Sequence, residues 1–583
     1  STDVGSNISS YGDTIIRTTG KNADINIQGS HLDSVTGTTA IIGTGGVRMT
    51  EGRKVEGVQS ASSYQQDKWY GSKDIKQTYE SYTDAAVLST VLGNDVYIIS
   101  QDADVSLFGT NVNANEQASI SAKQGNVTVQ SAVNSIYQNN TKTTQNFYKN
   151  TGNVDGFYQE TLAQTGVRAG SIDIQGNSAN LNGISLQATH GPITVGNAHL
   201  ATNDDGTLKL NDNGKPTVIS GDMHNLNLGT VDLTNETWQE ISKSYRGLAK
   251  DVMKGVGVVT GALGFDGVTL AKSDSNHSKT EIQAVSELHG SHIQAGAQTV
   301  TATGTRFDAG TDGFVAVLGD DVLFATAKHT KTANATQTRQ TITGEGMRLG
   351  KDHLQLGAVV HTDSTDTQST QSTTHDGVTV RGNNAVVLGN MNDGSLTTQA
   401  TNFDLDPTSG TLLIGAKSTL LDGAINQTAH TQSNETNTTR IGATVHHVAV
   451  DTAIAAENVK EAIQAANHAR KELEQAKTMV KTGKLDPNAI KDYELNLAMA
   501  TTNVANAQIA LGSTAATAAS TAPTLGFSAK LGATHTQSQS SQTQTNQEFV
   551  ATNITAANTT LVGDDFTTKG LQGDIGNLNV DQL

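Results

Sequence analysis

No cysteine occurs in this sequence, which removes disulfide frameworks and thiolate zinc sites and leaves burial and hydrogen-bonded ladders to hold the fold. Proline is scarce as well, at 5 residues, so the chain is not a Pro-rich linker. Aromatics supply 4% and charged residues 16%, which fits neither a strongly charged disordered chain nor an ordinary enzyme core. Long apolar runs are missing too. The nearest, "VGVVTGALGF" at 256–265, is too short and glycine-rich for a helix that must span about 20 residues of bilayer. Positive charge is in deficit: the formal net charge is −18, and no basic stripe is present for phosphates, so nucleic acid is not an expected partner.

What is present is length, glycine and alternation. The 583 residues exceed one ordinary core, so the chain is either several domains or one body that grows by stacking. Internal similarity favours stacking. "GNDVYIISQDADVSLFGTNVNA" (93–114) aligns with "NEQASISAKQGNVTVQSAVNS" (115–135), bringing Val96 onto Ala118 and Val105 onto Val127 at an offset of 22 residues. "SIDIQG" at 171 and "PITVGN" at 192 align Ile172 with Ile193 and Ile174 with Val195 at an offset of 21. Within each unit, short strands of period two are bounded by Gly, Asn or Asp, so one face of each is buried. A unit this small cannot bury that face alone and must stack on its neighbours, which is the logic of a β-solenoid. At about 4.8 Å per coil, some twenty-odd coils predict a rod on the order of 100 Å.

Polar excursions interrupt the coils. "HTKTANATQTRQT" (329–341), "HTDSTDTQSTQSTTHD" (361–376), "HTQSNETNTTR" (430–440) and "HTQSQSSQTQTNQEF" (535–549) share a style, each opening with His-Thr and each beside apolar-glycine segments. Such runs read either as disordered tracts or as solvated strands. Threonine's β-propensity and the ability of Gln and Asn to form ladders point to long strands or hairpins projecting from the rod. They are read as strands unpaired along their length, able to pair with another surface. "NDDGTLKLNDNGKPTVI" (203–219) reads as a turn-bounded hairpin. The excursions at 59–83 and 134–153 carry several of the few aromatics, and Trp69, Tyr70, Tyr79, Tyr82, Tyr137 and Tyr148 form a candidate contact surface. Cross-strand pairing within the excursion is the alternative use of these rings.

One segment has helical period. Val459, Ala462, Ala466, Ala469, Leu473, Ala476 and Val480 alternate three and four apart, as do Ile490, Tyr493, Leu497, Ala500, Val504, Ala507 and Leu511. Gly483 suits the end of the first helix, and Asp486-Pro487 suits the start of the second. The short connection predicts an antiparallel helical hairpin at 451–512, inserted into the solenoid. The chain thus divides into a β-helix with polar excursions at 1–247, a Gly-rich apolar connector at 248–272, and a second β-helix with Ser/Thr/Gln-rich excursions at 273–450. The helical hairpin follows at 451–512, and β-helix returns at 513–583.

Catalytic and metal signatures do not emerge. Of 16 histidines none forms HExxH or an i, i+4 helical pair, and His446 and His447 point to opposite faces of a strand. The acidic turns at 203–206, 211–214 and 318–321 lack the spacing of calcium loops. "GMRLGKD" at 346–352 is one residue short of a phosphate loop and has no Ser or Thr after Lys351. No GxSxG elbow occurs. A carboxylate cleft like that of polysaccharide-cleaving β-helices stays open as an alternative, though aromatic platforms for sugars are few. No catalytic residue, metal or cofactor is expected.

"LGFSAKLGATHTQSQSSQTQTNQEFVATNITAANTTLVGDDFTTKG" (525–570) resembles the haemagglutinin repeat of filamentous haemagglutinins, with an apolar-Gly strand, a Ser/Thr/Gln run and a closing coil. "HGSHIQAGAQTVTATGTRFDAG" (289–310) and "ADINIQGSHLDS" (23–34) are similar to that family's coil and its turn. The resemblance covers nearly the whole chain outside the helical hairpin. It implies a right-handed parallel β-helix in a large exoprotein, exported by two-partner secretion through a cognate outer-membrane transporter. Among such proteins, dense Ser/Thr/Gln excursions look most like the second haemagglutinin-repeat region of contact-dependent growth inhibition proteins. That region lies between a receptor-binding part and a toxin and is associated with the target cell's outer membrane. No pretoxin motif, toxin domain or secretion domain is seen here, and from Ser1 to "NVDQL" the chain is expected to be a piece of something longer. The resemblance implies a secreted or cell-surface filament segment for toxin delivery, partnered by a target-cell outer membrane or receptor, with self-association of filaments as a further expectation. A filamentous adhesin for host cells, sugars or biofilm neighbours is the alternative.

Overall fold

The computed structural model describes residues 2–68, 71–146, 148–201, 203, 209–210, 215–245, 268–345, 348–349, 353–482, 489–520 and 527–582. Short alternating strands wind into a three-faced coil, as the sequence period requires. One coil runs through His31–Ser34, Thr38–Gly43 and Val47–Thr50, and each strand pairs in parallel with its counterpart one coil on. The third face is an 11-stranded sheet. The first two faces comprise 20 strands, four of which (Ser89–Ser100, Thr110–Ala122, Thr552–Gly563 and Leu571–Gln582) bend round the corner and serve both, so each of these faces has twelve rungs. The offsets read from sequence are the observed registers: Val96 pairs with Ala118, Val105 with Val127, Ile172 with Ile193 and Ile174 with Val195.

Inward residues form one continuous core from Ile25 to Leu561. Within it Phe324 from the third face meets Phe307 and Phe403 from the first, with ring centroids 6.2 and 6.4 Å apart. Twelve rungs at about 4.8 Å make a rod on the order of 50 Å, half the expected length. The estimate of twenty-odd coils assumed that most residues wind round the rod. Ten long strands and two helices leave it instead.

Those ten strands are β1 (Gly52–Lys68), β2 (Gly71–Val87), β3 (Ala132–Asn146), β4 (Lys149–Ala163), β5 (Val231–Tyr245), β6 (Val268–Ala284), β7 (Ala327–Glu345), β8 (His353–Asp376), β9 (Ala424–His447) and β10 (Phe527–Val550). They pair antiparallel in strict chain order from β1 to β10 and form one lateral sheet beside the rod. The expectation of unpaired strands is therefore corrected. Each hairpin's outgoing strand is taken up by the previous hairpin, and among the described residues only β1 and β10 keep an unpaired side. A long exposed strand with an unpaired edge is a template for further pairing, and neighbouring hairpins of the same chain are the nearest partners.

The spacing of the hairpins explains why they meet. Strands of the third face end alternately in a tight corner and in a hairpin. The corners are left-handed residues: Gly29, Gly109, Gly183, Gly304, Ala400 and Gly570, with φ between 46° and 84°. The hairpins leave after Val47–Thr50, Val127–Gln130, Asn225–Gly229, Asp321–Ala325 and Ser418–Asp422. A hairpin is two strands wide and two rungs of the rod span the same distance, about 10 Å, so one hairpin every second rung brings successive hairpins edge to edge without strain. Buried hydroxyls satisfy carbonyls where the chain branches out: Ser89 Oγ donates to Thr50 O at 2.7 Å, Thr165 Oγ1 to Gln130 O at 2.9 Å and Thr552 Oγ1 to Asp422 O at 2.6 Å.

Two helices, α1 (Val448–Lys481) and α2 (Ile490–Ser520), join β9 to β10. The helical hairpin is as expected, but it crowns the far end of the fifth β-hairpin and does not interrupt a coil. It also runs past residue 512, because "STAATAAS" is alanine-rich enough to continue a helix. Ala469, Leu473 and Ala476 of the expected seam of α1 are buried, and so is Ala455, one turn before it. The capping residues Gly483, Asp486 and Pro487 lie outside the described residues. So does most of the 248–272 connector, whose last residues, 268–272, already belong to β6.

The hairpin expected at 203–219 also falls largely outside the described residues. Its last residues, Val218–Ile219, pair with His199–Leu200, which precede the expected hairpin, and the pair lies against the outside of the second face, where Ala198, Leu318, Leu388, Met391 and Val562 form a second apolar cluster.

Candidate interaction surfaces on the lateral sheet

Because successive side chains alternate, the lateral sheet has two faces, and most described side chains on both are exposed or half-buried, while Ile75, Leu270, Ile342 and Ala358 are buried. Polar residues along the strands follow from that solvation. The structure divides the aromatic candidates between the two faces. Tyr82 of β2 stands directly opposite Tyr137 of β3, which stands opposite Tyr158 of β4. Tyr79 points to the other face, opposite Ser60 and Asn140. Tyr148 lies in the turn between β3 and β4, and Trp69 and Tyr70 lie outside the described residues.

Two partners of the Tyr82–Tyr137 pair were not found from sequence. Trp238 of β5 reaches over β4 at Gly156 to meet Tyr137, with ring centroids 5.8 Å apart, and its Nε1–H donates to Asn139 Oδ1 at 3.2 Å. Tyr158 donates its hydroxyl proton to Glu160 Oε1 at 2.6 Å. That hydrogen bond, helped by burial, pushes the phenol pKa up to about 12. The other Glu160 oxygen accepts from the Thr234 amide at 2.6 Å. Alternation in "DLTNETWQEIS" (232–242) marks a strand, but no sequence signal ties it to 137 or 158, since the register comes from the sheet.

The base of the sheet is pinned by Arg53, whose Nε donates to Asp84 Oδ1 at 2.8 Å and whose Nη1 donates to Val133 O at 3.0 Å, tying β1, β2 and β3 together. The Asp84 bond raises the guanidinium pKa further. On the Tyr79 face, further along the sheet, a shallow trough of about 420 Å³ is floored by Ala333 and Ala335 and walled by Gln239, Gln368 and His430.

The His-Thr histidines serve the sheet. His329 Nε2 lies 3.2 Å from Asp376 and His361 Nε2 lies 3.2 Å from Asp363, while the Nδ1 atoms of His430 and His535 lie 3.0 and 3.1 Å from the hydroxyls of Thr370 and Thr439. Among the described residues no group of three or more His, Asp or Glu side chains is arranged to hold a metal ion. The acidic turn at 318–321 bonds to the neighbouring coil: Asp320 accepts from the Asn390 side chain and Asp321 from the Ser395 amide. No helix among the described residues is long and apolar enough to cross a membrane.

No family model, curated protein or solved structure matches the chain. The protein is an elongated, mostly parallel-β repeat rod with a lateral antiparallel sheet.

Proposed function

We propose that this chain is a non-enzymatic segment of a secreted, surface-exposed exoprotein, exported by two-partner secretion and acting in contact-dependent toxin delivery to neighbouring bacteria. The observation that carries the reading is the lateral sheet, in which five Ser/Thr/Gln-bearing hairpins leave alternate rungs and join into one two-faced polar wall. Repeats of apolar-Gly strand, polar run and closing coil are what the haemagglutinin-repeat resemblance implies, and a polar wall exposed along much of its length suits contact with a target-cell outer membrane or receptor. Excising residues 424–550 joins Gly423 to Ala551 and converts a hairpin rung into a tight corner like that at Gly183. A strain with this excision is expected to display the rod on its surface yet fail to deplete a marked sibling lacking immunity. Undiminished depletion would refute the reading.

The contiguous Tyr82–Tyr137–Trp238 surface favours a second reading, a filamentous adhesin. Beads coated with the purified chain are then expected to attach to target cells, and failure to attach counts against it.

A further inference from the structure

The first half of the lateral sheet gathers aromatic rings on one face. Tyr82, Tyr137 and Tyr158 occupy one cross-strand row on β2, β3 and β4, and Trp238 on β5 completes the group. The indole is held over the sheet in a defined way. A Cβ at Gly156 would lie 2.6 Å from its ring, so only glycine leaves room beneath it, and Asn139 fixes its N–H. Tyr82, at the end of the row, remains 43% exposed.

Holding the sheet together does not account for this cluster. β7 to β10 form longer strands of the same sheet, and their only Phe, Tyr or Trp residues are Phe527 and Phe549 at the two ends of β10. On the Tyr79 face of the first half, Tyr64, Tyr79, Phe157 and Tyr245 stand apart, opposite non-aromatic residues.

Polar groups border the rings. Glu236 is opposite Tyr158, and its carboxylate lies 3.8 Å from His277 Nε2 and 4.0 Å from Lys279 Nζ. Glu80 and Glu160 share the face, so carboxylates outnumber ammonium groups around the strip. Four strands at about 4.8 Å give a strip about 14 Å across, a trisaccharide's length.

We propose that this strip is a carbohydrate platform for a neutral, linear oligosaccharide lying across β2 to β5. The C–H faces of the sugar rings rest on the electron-rich faces of the aromatics, and their hydroxyls bond to Glu236, His277 and Asn139. The surrounding carboxylates disfavour an anionic glycan. A proline-rich peptide needs an aromatic-lined groove, and this surface is a flat sheet. The inference deepens the adhesive reading, and a binding assay on the purified chain separates its failure from a failure of cell attachment.

The sequence has two tryptophans, so Trp69→Phe leaves Trp238 as the sole indole reporter in the full chain. Titration with cellohexaose or chitohexaose is expected to change Trp238 emission saturably, and Tyr137→Ala to weaken binding about tenfold or more while Tyr79→Ala leaves it unchanged. Far-UV circular dichroism establishes that each variant is folded. No saturable change up to about 10 mM of either sugar would overturn the proposal, as would equal loss in Tyr79→Ala or binding only of a proline-rich peptide.

Discussion

The ammonium of Lys215, 1% exposed, lies 2.6 Å from the carboxylate of Asp564 although 349 residues separate them. The bond fixes the excursion that ends at Val218–Ile219 to the far end of the second face, beside the apolar cluster containing Val562. Breaking the pair leaves a buried charge without its carboxylate, which costs more than replacing the lysine by an apolar side chain of similar length.

Asp564→Ala is therefore expected to lower the melting temperature and expose the excursion to protease, and Lys215→Met to do so less. The Lys215 hydrogen bond depresses the Asp564 pKa in the folded state. This contribution is complete above the unfolded carboxylate pKa, near 3.9, and is lost as pH falls through the lower folded value. Thermal melts across that acid range should show a step in the parent that Asp564→Asn lacks.

Tyr158 gives the opposite sign. Its folded pKa, about 12, lies above the ordinary tyrosine value near 10, so its contribution is complete below the ordinary value and is lost as pH rises toward the folded one. Absorbance titration should show one late-ionising tyrosine that disappears in Tyr158→Phe, and Glu160→Gln should bring the ionisation to lower pH.

The tight corners require left-handed backbone. At Gly304, φ +57°, a Cβ would lie 2.6 Å from that of Ala327. Gly304→Ala is expected to destabilise by about 2 kcal/mol or more, from the left-handed cost plus the clash. Ala400 already bears the left-handed cost at φ 46°, so Ala400→Gly should be neutral or slightly stabilising, since glycine's extra chain entropy offsets the relief. Denaturant melts compare the two.

Hairpin phase supplies another test. Deleting residues 286–304 removes one tight-corner coil and joins Val285 to Thr305, leaving two hairpins on adjacent rungs. Two hairpins need four strand widths where the rod then offers fewer, so the lateral sheet should split between β6 and β7 while the rod persists. Limited proteolysis should then cut within β6 or β7. Unchanged protection would refute the spacing argument.

The sequence by itself determined the coil. Alternating apolar residues such as Val96 and Ile98 must face inward, and an offset of 22 residues stacks them on Ala118 and Ile120, because a one-residue slip would turn every side chain outward. It determined the helical hairpin as well, since the seam from Val459 to Val480 has a period no strand can use. Only the tertiary structure decided how the polar strands pair. A run such as Thr534 to Gln547 has no apolar stripe and would bury nothing less if shifted, so its register against β9 is set where Asp422 and Thr552 anchor it to the rod. The same holds for the aromatic strip. Tyr82, Tyr137 and Trp238 are far apart in the chain, and they meet because hairpins two strands wide leave a rod at every second rung.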